Sequence, residues 1–121
     1  MLRAVPGVAE LCLTTNGIRL AQLARPLRKA GVDRLNISLD SLRPERYRAI
    51  TRVDGLDAVP SGIRAAEDAG FENLKINCVL LGGVNDDEIE DFVRLTLNKP
   101  WQACLYAAAP FRAIFGLIFL R

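Results

Sequence analysis

At 121 residues, half of them apolar, the chain is long enough for one domain and too apolar for a disordered segment. Sixteen basic and fourteen acidic residues leave a formal net charge of +2, and their interspersion provides no basic stripe, which argues against nucleic acid as a partner. Three cysteines without any histidine, far apart at Cys12, Cys78 and Cys104, match no close-spaced metal-ligand pattern, and their odd number with no signal peptide points to a reducing, cytoplasmic setting.

The first strand is expected over Leu11-Cys12-Leu13-Thr14-Thr15-Asn16-Gly17, where apolar and polar residues alternate. After it Ile18, Leu20, Leu23, Ala24 and Leu27 recur at helical spacing, with Pro26 either kinking that helix or opening a second one, and Ala30-Gly31 stopping it. A second strand, Leu35 to Asp40, leads through Ser41 to Arg43-Pro44-Glu45, where proline suits a helix start and glutamate its first turn. Tyr47 and Ile50 are expected to face inward. A longer helix runs from about Leu56 to Ala69 with Val59, Ile63 and Ala66 on one face, and Gly70 ends it. The third strand, Leu74 to Leu80, precedes Gly82-Gly83-Val84-Asn85, with Asn85 or Asp86 as the cap of a helix carrying Ile89, Phe92, Val93 and Leu97.

The order is three βα units, so the strands should run parallel in one sheet. Parallel strands covered by helices on both sides are near-continuous apolar runs, yet here one face of each strand is polar. Leu11, Leu13, Leu35, Ile37, Leu39, Ile76 and Cys78 are expected to pack on helices, while Thr14, Asn36, Ser38, Asp40, Lys75 and Asn77 share the other side. In a barrel that side is the lumen, and a polar lumen is costly to desolvate unless water or a polar ligand satisfies it. Three units cannot close an eight-stranded barrel of about 250 residues, so the fold class is α/β, a partial (βα) barrel.

Residues 1–100 form that partial barrel, and the composition changes after them. Trp101 to Arg121 holds no acidic residue and collects Phe111, Phe115 and Phe119 without clean strand alternation. It is read as an aberrant hydrophobic tail, with a shifted reading frame, a gene-model error and a genuinely short protein as open origins and a hydrophobic helix against the barrel as one form it can take. Pro110 and Arg112 interrupt its apolar run, which falls short of the 18 or so residues of a membrane span.

Each candidate residue has a structural reading beside the functional one. Thr14-Thr15-Asn16-Gly17 is a ligand-facing turn at the carboxyl end of a strand, or a tight turn with a helix cap. Ser38 and Asp40 bind ligand, or satisfy turn backbone beside Ser41. Lys75 projects an amine into the lumen, where it meets Asp40 in an internal ion pair, a phosphate, a carboxylate or a carbonyl. The acidic run after Asn85 is read as capping and dipole compensation, with no metal placed there. A Schiff-base role for Lys75 in an aldolase-like barrel ranks below these.

Taken together, Leu-Thr-Thr-Asn-Gly-Ile, Ala-Gly-Val-Asp-Arg-Leu-Asn-Ile-Ser-Leu-Asp-Ser-Leu, Lys-Ile-Asn-Cys-Val-Leu and Gly-Val-Asn-Asp-Asp-Glu resemble, in order and spacing, the GTP 3′,8-cyclases. These radical S-adenosylmethionine enzymes begin molybdenum-cofactor biosynthesis, and the resemblance covers about Val5 to Pro100. It implies an incomplete (βα) barrel whose lumen holds S-adenosylmethionine on one 4Fe-4S cluster and GTP near a second. GTP would there be converted to (8S)-3′,8-cyclo-7,8-dihydroguanosine 5′-triphosphate. Carried over by motif, Thr14 and Lys75 correspond to GTP-binding positions and Ser38 to an S-adenosylmethionine contact, with Asn16, Asp40 and Asn77 as supporting residues.

The departures bear on activity. The family's Cys-x-x-x-Cys-x-x-Cys loop and Gly-Gly-Glu-Pro segment would lie before Met1, and Trp-Gln-Ala-Cys-Leu-Tyr stands where the family continues into Arg-Phe-Ile-Glu. Cys12, Cys78 and Cys104 are not on one compact loop and so do not substitute for cluster ligands. The chain is therefore expected to be an inactive internal fragment, with a non-catalytic nucleotide-binding remnant or partner-dependent module as the alternative. An open sheet edge would favour a homodimer.

Overall fold

The computed structural model describes residues 4–107 and the backbone of residues 118–120. Strand β1 (Cys12–Thr15) leads to helix α1 (Leu20–Lys29), β2 (Arg34–Ser38) to α2 (Pro44–Thr51) and α3 (Ala58–Asp68), and β3 (Lys75–Leu80) to α4 (Ile89–Thr96). Strands β4 (Gln102–Ala107) and β5 (Ile118–Leu120) follow. They form one sheet in the order β1-β2-β3-β4-β5. The first four are mutually parallel and β5 runs antiparallel to β4. Four parallel strands alternating with helices make the partial (βα) barrel that the alternation predicted.

The helices cover one face of the sheet. Leu35, Ile37, Leu39, Leu74, Ile76 and Leu105 from the sheet side are buried with Leu20 and Ala24 of α1, Val59, Ile63 and Ala66 of α3, and Phe92 of α4. Tyr47 of α2 joins them at 1% exposure. Parity along each strand therefore assigns the apolar residues to the helix side, as period-two geometry requires. Burial of these side chains, worth roughly 1.5–3 kcal/mol each when complete, is the main term holding the layers together.

Helices α1 and α3 cross closely because two glycines let them. A Cβ on Gly62 would stand 2.5 Å from the Gly17 carbonyl oxygen and 3.0 Å from Leu20 Cβ. Gly17 itself sits at φ +81°, a left-handed turn that side-chain-bearing residues rarely adopt. Pro26 lies inside α1, which continues through it to Lys29, and Pro44 occupies the start of α2.

Two expectations change. Residues 102–107 form a strand, with Ala103 and Leu105 buried and a six-residue parallel register to β3. Alternation was a poor guide there because Cys104, on the opposite face, is also buried. The remainder of the expected hydrophobic tail, 108–117 and 121, lies outside the described residues. Second, no side-chain cap begins α4. A short 3-10 turn, Asp86–Glu88, precedes it, Leu97 beyond it is 69% exposed, and the polar residues of that turn are used elsewhere.

Candidate functional site

The strand register lines up the polar residues in two rows across the other face of the sheet. Thr14 is opposite Asn36, Asn36 opposite Lys75, and Lys75 opposite Gln102. Two residues further along, Ser38 is opposite Asn77 and Asn77 opposite Cys104. The first row begins β3 and β4, so Lys75 and Gln102 stand at the amino-terminal edge of the sheet. There a hollow of about 360 Å³ is lined by Arg34, Asn36, Asn73, Lys75 and Gln102. Its lining holds two cations and no carboxylate, so it suits an anionic or carbonyl-bearing ligand. Arg34 also pairs through Nε with Glu10 at 2.7 Å.

The second row carries an unmet demand. Asn77 Oδ1 is buried and has no hydrogen-bond partner among the described residues. Leaving a buried acceptor unsatisfied costs roughly 1–3 kcal/mol. A donor on a lumen ligand would relieve that cost, and Ser38, its register neighbour, supplies a hydroxyl on the same face.

Asn16 and Asp40 serve the backbone. Asn16 Oδ1 accepts from Ile18 N and Thr15 Oγ1 from Gly17 N, both at 3.2 Å, so this segment has the tight-turn geometry weighed in the sequence. Asp40 lies just past β2, and its Oδ1 accepts from Val79 N at 2.9 Å. Four positions in register separate Asp40 from Lys75, about 13 Å along the strand direction.

The carboxyl-terminal edge is tied by residues that sequence reasoning assigned to capping. Asn85, fully buried, accepts from Leu81 N at 2.6 Å and donates through Nδ2 to the Asp40 and Val79 carbonyls at 2.7 and 2.9 Å. Glu88, also at 0% exposure, accepts from Ser41 Oγ at 2.8 Å and from Leu42 N at 2.6 Å, and pairs with Arg46. Asp87 meets Arg46 at 2.6 Å and Arg43 at 2.9 Å. Bonding to Glu88, and then to Asp87, raises the Arg46 guanidinium above its ordinary value, and the bond from Arg46 holds the Asp87 carboxyl below its own. These ties join the loop after β2 to the loop after β3. The acidic run in the sequence signalled a helix start, and only the fold reveals its partners 41 to 47 positions away.

The three thiols do not converge on a metal. Cys12 is exposed on the sheet-edge strand β1, Cys78 is buried on the helix face and Cys104 is buried on the opposite face. Among the described residues no cluster of histidine, cysteine or acidic side chains is placed to hold a metal ion. These residues do not fit an iron-sulfur cluster.

A sheet of four parallel strands with one face packed on helices and the other lined by polar rows defines a partial (βα) barrel. Residues 1–96 match the Radical SAM superfamily, and the chain belongs to that superfamily. Its relatives include proteins named GTP 3′,8-cyclase. That of Pseudomonas entomophila is 57% identical over 98 residues, covering 81% of this chain and 29% of the relative. That of Heliobacterium modesticaldum is 52% identical over 99 residues, covering 82% and 30%, and that of Geobacter sulfurreducens is 54% identical with the same coverage. The chain thus spans about 30% of the length of these curated relatives.

Proposed function

We propose that the chain is the central part of a GTP 3′,8-cyclase barrel, holding GTP through Thr14 and Lys75 and S-adenosylmethionine through Ser38, and that alone it does not catalyse. The observation that carries this reading is the polar double row, with Thr14 and Lys75 in one row and Ser38 beside the unsatisfied Asn77 acceptor in the other. Lys75 offers a flexible cation to a phosphate or purine oxygen, Thr14 a hydroxyl in the same row, and Ser38 a hydroxyl for the ribose or carboxylate of the second ligand. In intact relatives S-adenosylmethionine on a 4Fe-4S cluster would supply radical chemistry. The residues present here bind and orient, so cyclisation of GTP belongs to the longer protein. The likeness to cyclases also supports a cytoplasmic setting. Among the described residues no helix is long and apolar enough to cross a membrane.

The test is GTP titration of the chain and of Lys75→Ala, with iron-sulfide reconstitution and a 5′-deoxyadenosine assay alongside. Measurable GTP binding that Lys75→Ala weakens at least tenfold, with no 5′-deoxyadenosine, is the expected result. Equal affinity for GTP and unrelated nucleotides would defeat the GTP assignment, and 5′-deoxyadenosine formation would defeat the claim of inactivity. A shifted frame is proposed as one origin of residues 101–121, the first part of which forms β4 in this chain. Sequencing the DNA in all frames after Pro100 tests it, and recovery of an Arg-Phe-Ile-Glu strand in another frame is the expected outcome.

A further inference from the structure

On the helix side of the sheet, away from the polar rows, an open groove of about 350 Å³ separates α3 from α4. Leu39 and Leu42 contribute from the end of β2, Val59 and Ile63 from α3, Leu95 from α4, and Trp101 from the approach to β4. Such a volume lies at the small end of ligand pockets, about 300–1,000 Å³. It suits a medium-chain or single-ring molecule.

Three charged residues, Arg64, Glu67 and Lys99, stand at the groove. Glu67 Oε1 accepts from Lys99 Nζ at 2.9 Å and from Trp101 Nε1 at 3.2 Å. The Lys99 ammonium also lies 5.0 Å from the Trp101 ring centroid. Glu67 therefore neutralises Lys99 and satisfies the indole N–H, leaving the tryptophan ring as apolar wall. Arg64, exposed and one helical turn before Glu67, has no carboxylate partner among the described residues. The lining thus combines an apolar trough with one uncompensated positive charge.

We propose that this groove is a binding site for a small amphiphilic carboxylate, its hydrocarbon body along Ile63, Leu95 and Trp101 and its carboxylate on the Arg64 guanidinium. Charge selects the occupant. An apolar tail alone would gain burial, but only an anion also gains a charge-assisted, bidentate contact with arginine. The site is independent of the lumen on the opposite face and of the GTP assignment.

Trp101 is the chain's only tryptophan, so its emission reports directly on the groove. Titrating the full chain with decanoate should shift that emission saturably, while nonyltrimethylammonium, with the same nine-carbon tail and the opposite charge, should bind at least tenfold more weakly. Arg64→Gln should weaken decanoate at least fivefold and Arg64→Lys by less, since lysine keeps the charge and loses the bidentate geometry; Arg64 is exposed, so neither change disturbs the core. A non-saturable response, an equal response to the cationic analogue, or an unchanged midpoint in Arg64→Gln would each overturn the proposal.

Discussion

The three thiols show how identical side chains acquire different chemistry from their surroundings. Burial, followed by the charges of Asp40 and Glu88, pushes the Cys78 thiol up to about 12, so it stays protonated at neutral pH, whereas Cys12 faces solvent on β1. Because the thiolate is the nucleophile, iodoacetamide at pH 8 should label Cys12 quickly, and Cys78 and Cys104 only after denaturation. Mass-spectrometric peptide mapping would read this, and rapid labelling of Cys78 in the native protein would contradict it. The linkage has a definite sign. Above an ordinary thiol value near 9 the unfolded chain releases a proton that folded Cys78 retains, so stability should fall by about 1.4 kcal/mol per pH unit between about pH 9 and 12. At this scale Thr14, Asn36, Ser38, Lys75 and Asn77 were legible as one face because strand parity alone decides it, whereas Asp40, past the end of β2, serves backbone instead. The roles of Asn85 and Glu88 were not, since a helix start and a long-range tie draw on the same polar residues.

Among the elements, the junction of α1 and α3 is the tightest. Gly62 permits it because a methyl group there would meet the Gly17 carbonyl oxygen at 2.5 Å, a backbone atom that cannot rotate away. Gly62→Ala should therefore destabilise the fold by about 1–3 kcal/mol, the usual range for overpacking, despite alanine's better helix propensity. Chemical denaturation would measure it, and a stabilised variant would show that the helices separate freely. Gly17 belongs to the Thr-Thr-Asn-Gly turn, so this contact also fixes how the end of β1 enters α1. The sequence marked Gly17 as a turn residue, while nothing in the spacing around Gly62 revealed which backbone it would approach.

Across the whole molecule, the sheet depends on a strand that the sequence placed in the tail. β4 supplies the buried Ala103 and Leu105 and brings Gln102 and Cys104 into the two lumen rows. A chain ending at Pro100 should expose the β3 edge, lose cooperative thermal unfolding and associate at micromolar concentration. Calorimetry with light scattering would show this. A truncated chain as stable and monodisperse as the full one would mean that β4 adds nothing to the core. The stretch from residue 101 reads poorly as a strand because both of its faces are covered, at Ala103 and Leu105 on one side and Cys104 on the other. Period-two alternation fades where neither face meets water.

The sequence by itself determined the βα order, the sidedness of the first three strands and the family motifs, because these follow from local periodicity and from residues adjacent in the chain. The tertiary structure decided the fourth strand, the alignment of Thr14, Asn36, Lys75 and Gln102 in one row, the burial of Glu88 against Ser41 and Arg46, and the charged groove beside Trp101. Each of these depends on register or on contacts between residues remote in sequence, and no local pattern encodes which distant partners packing will bring together.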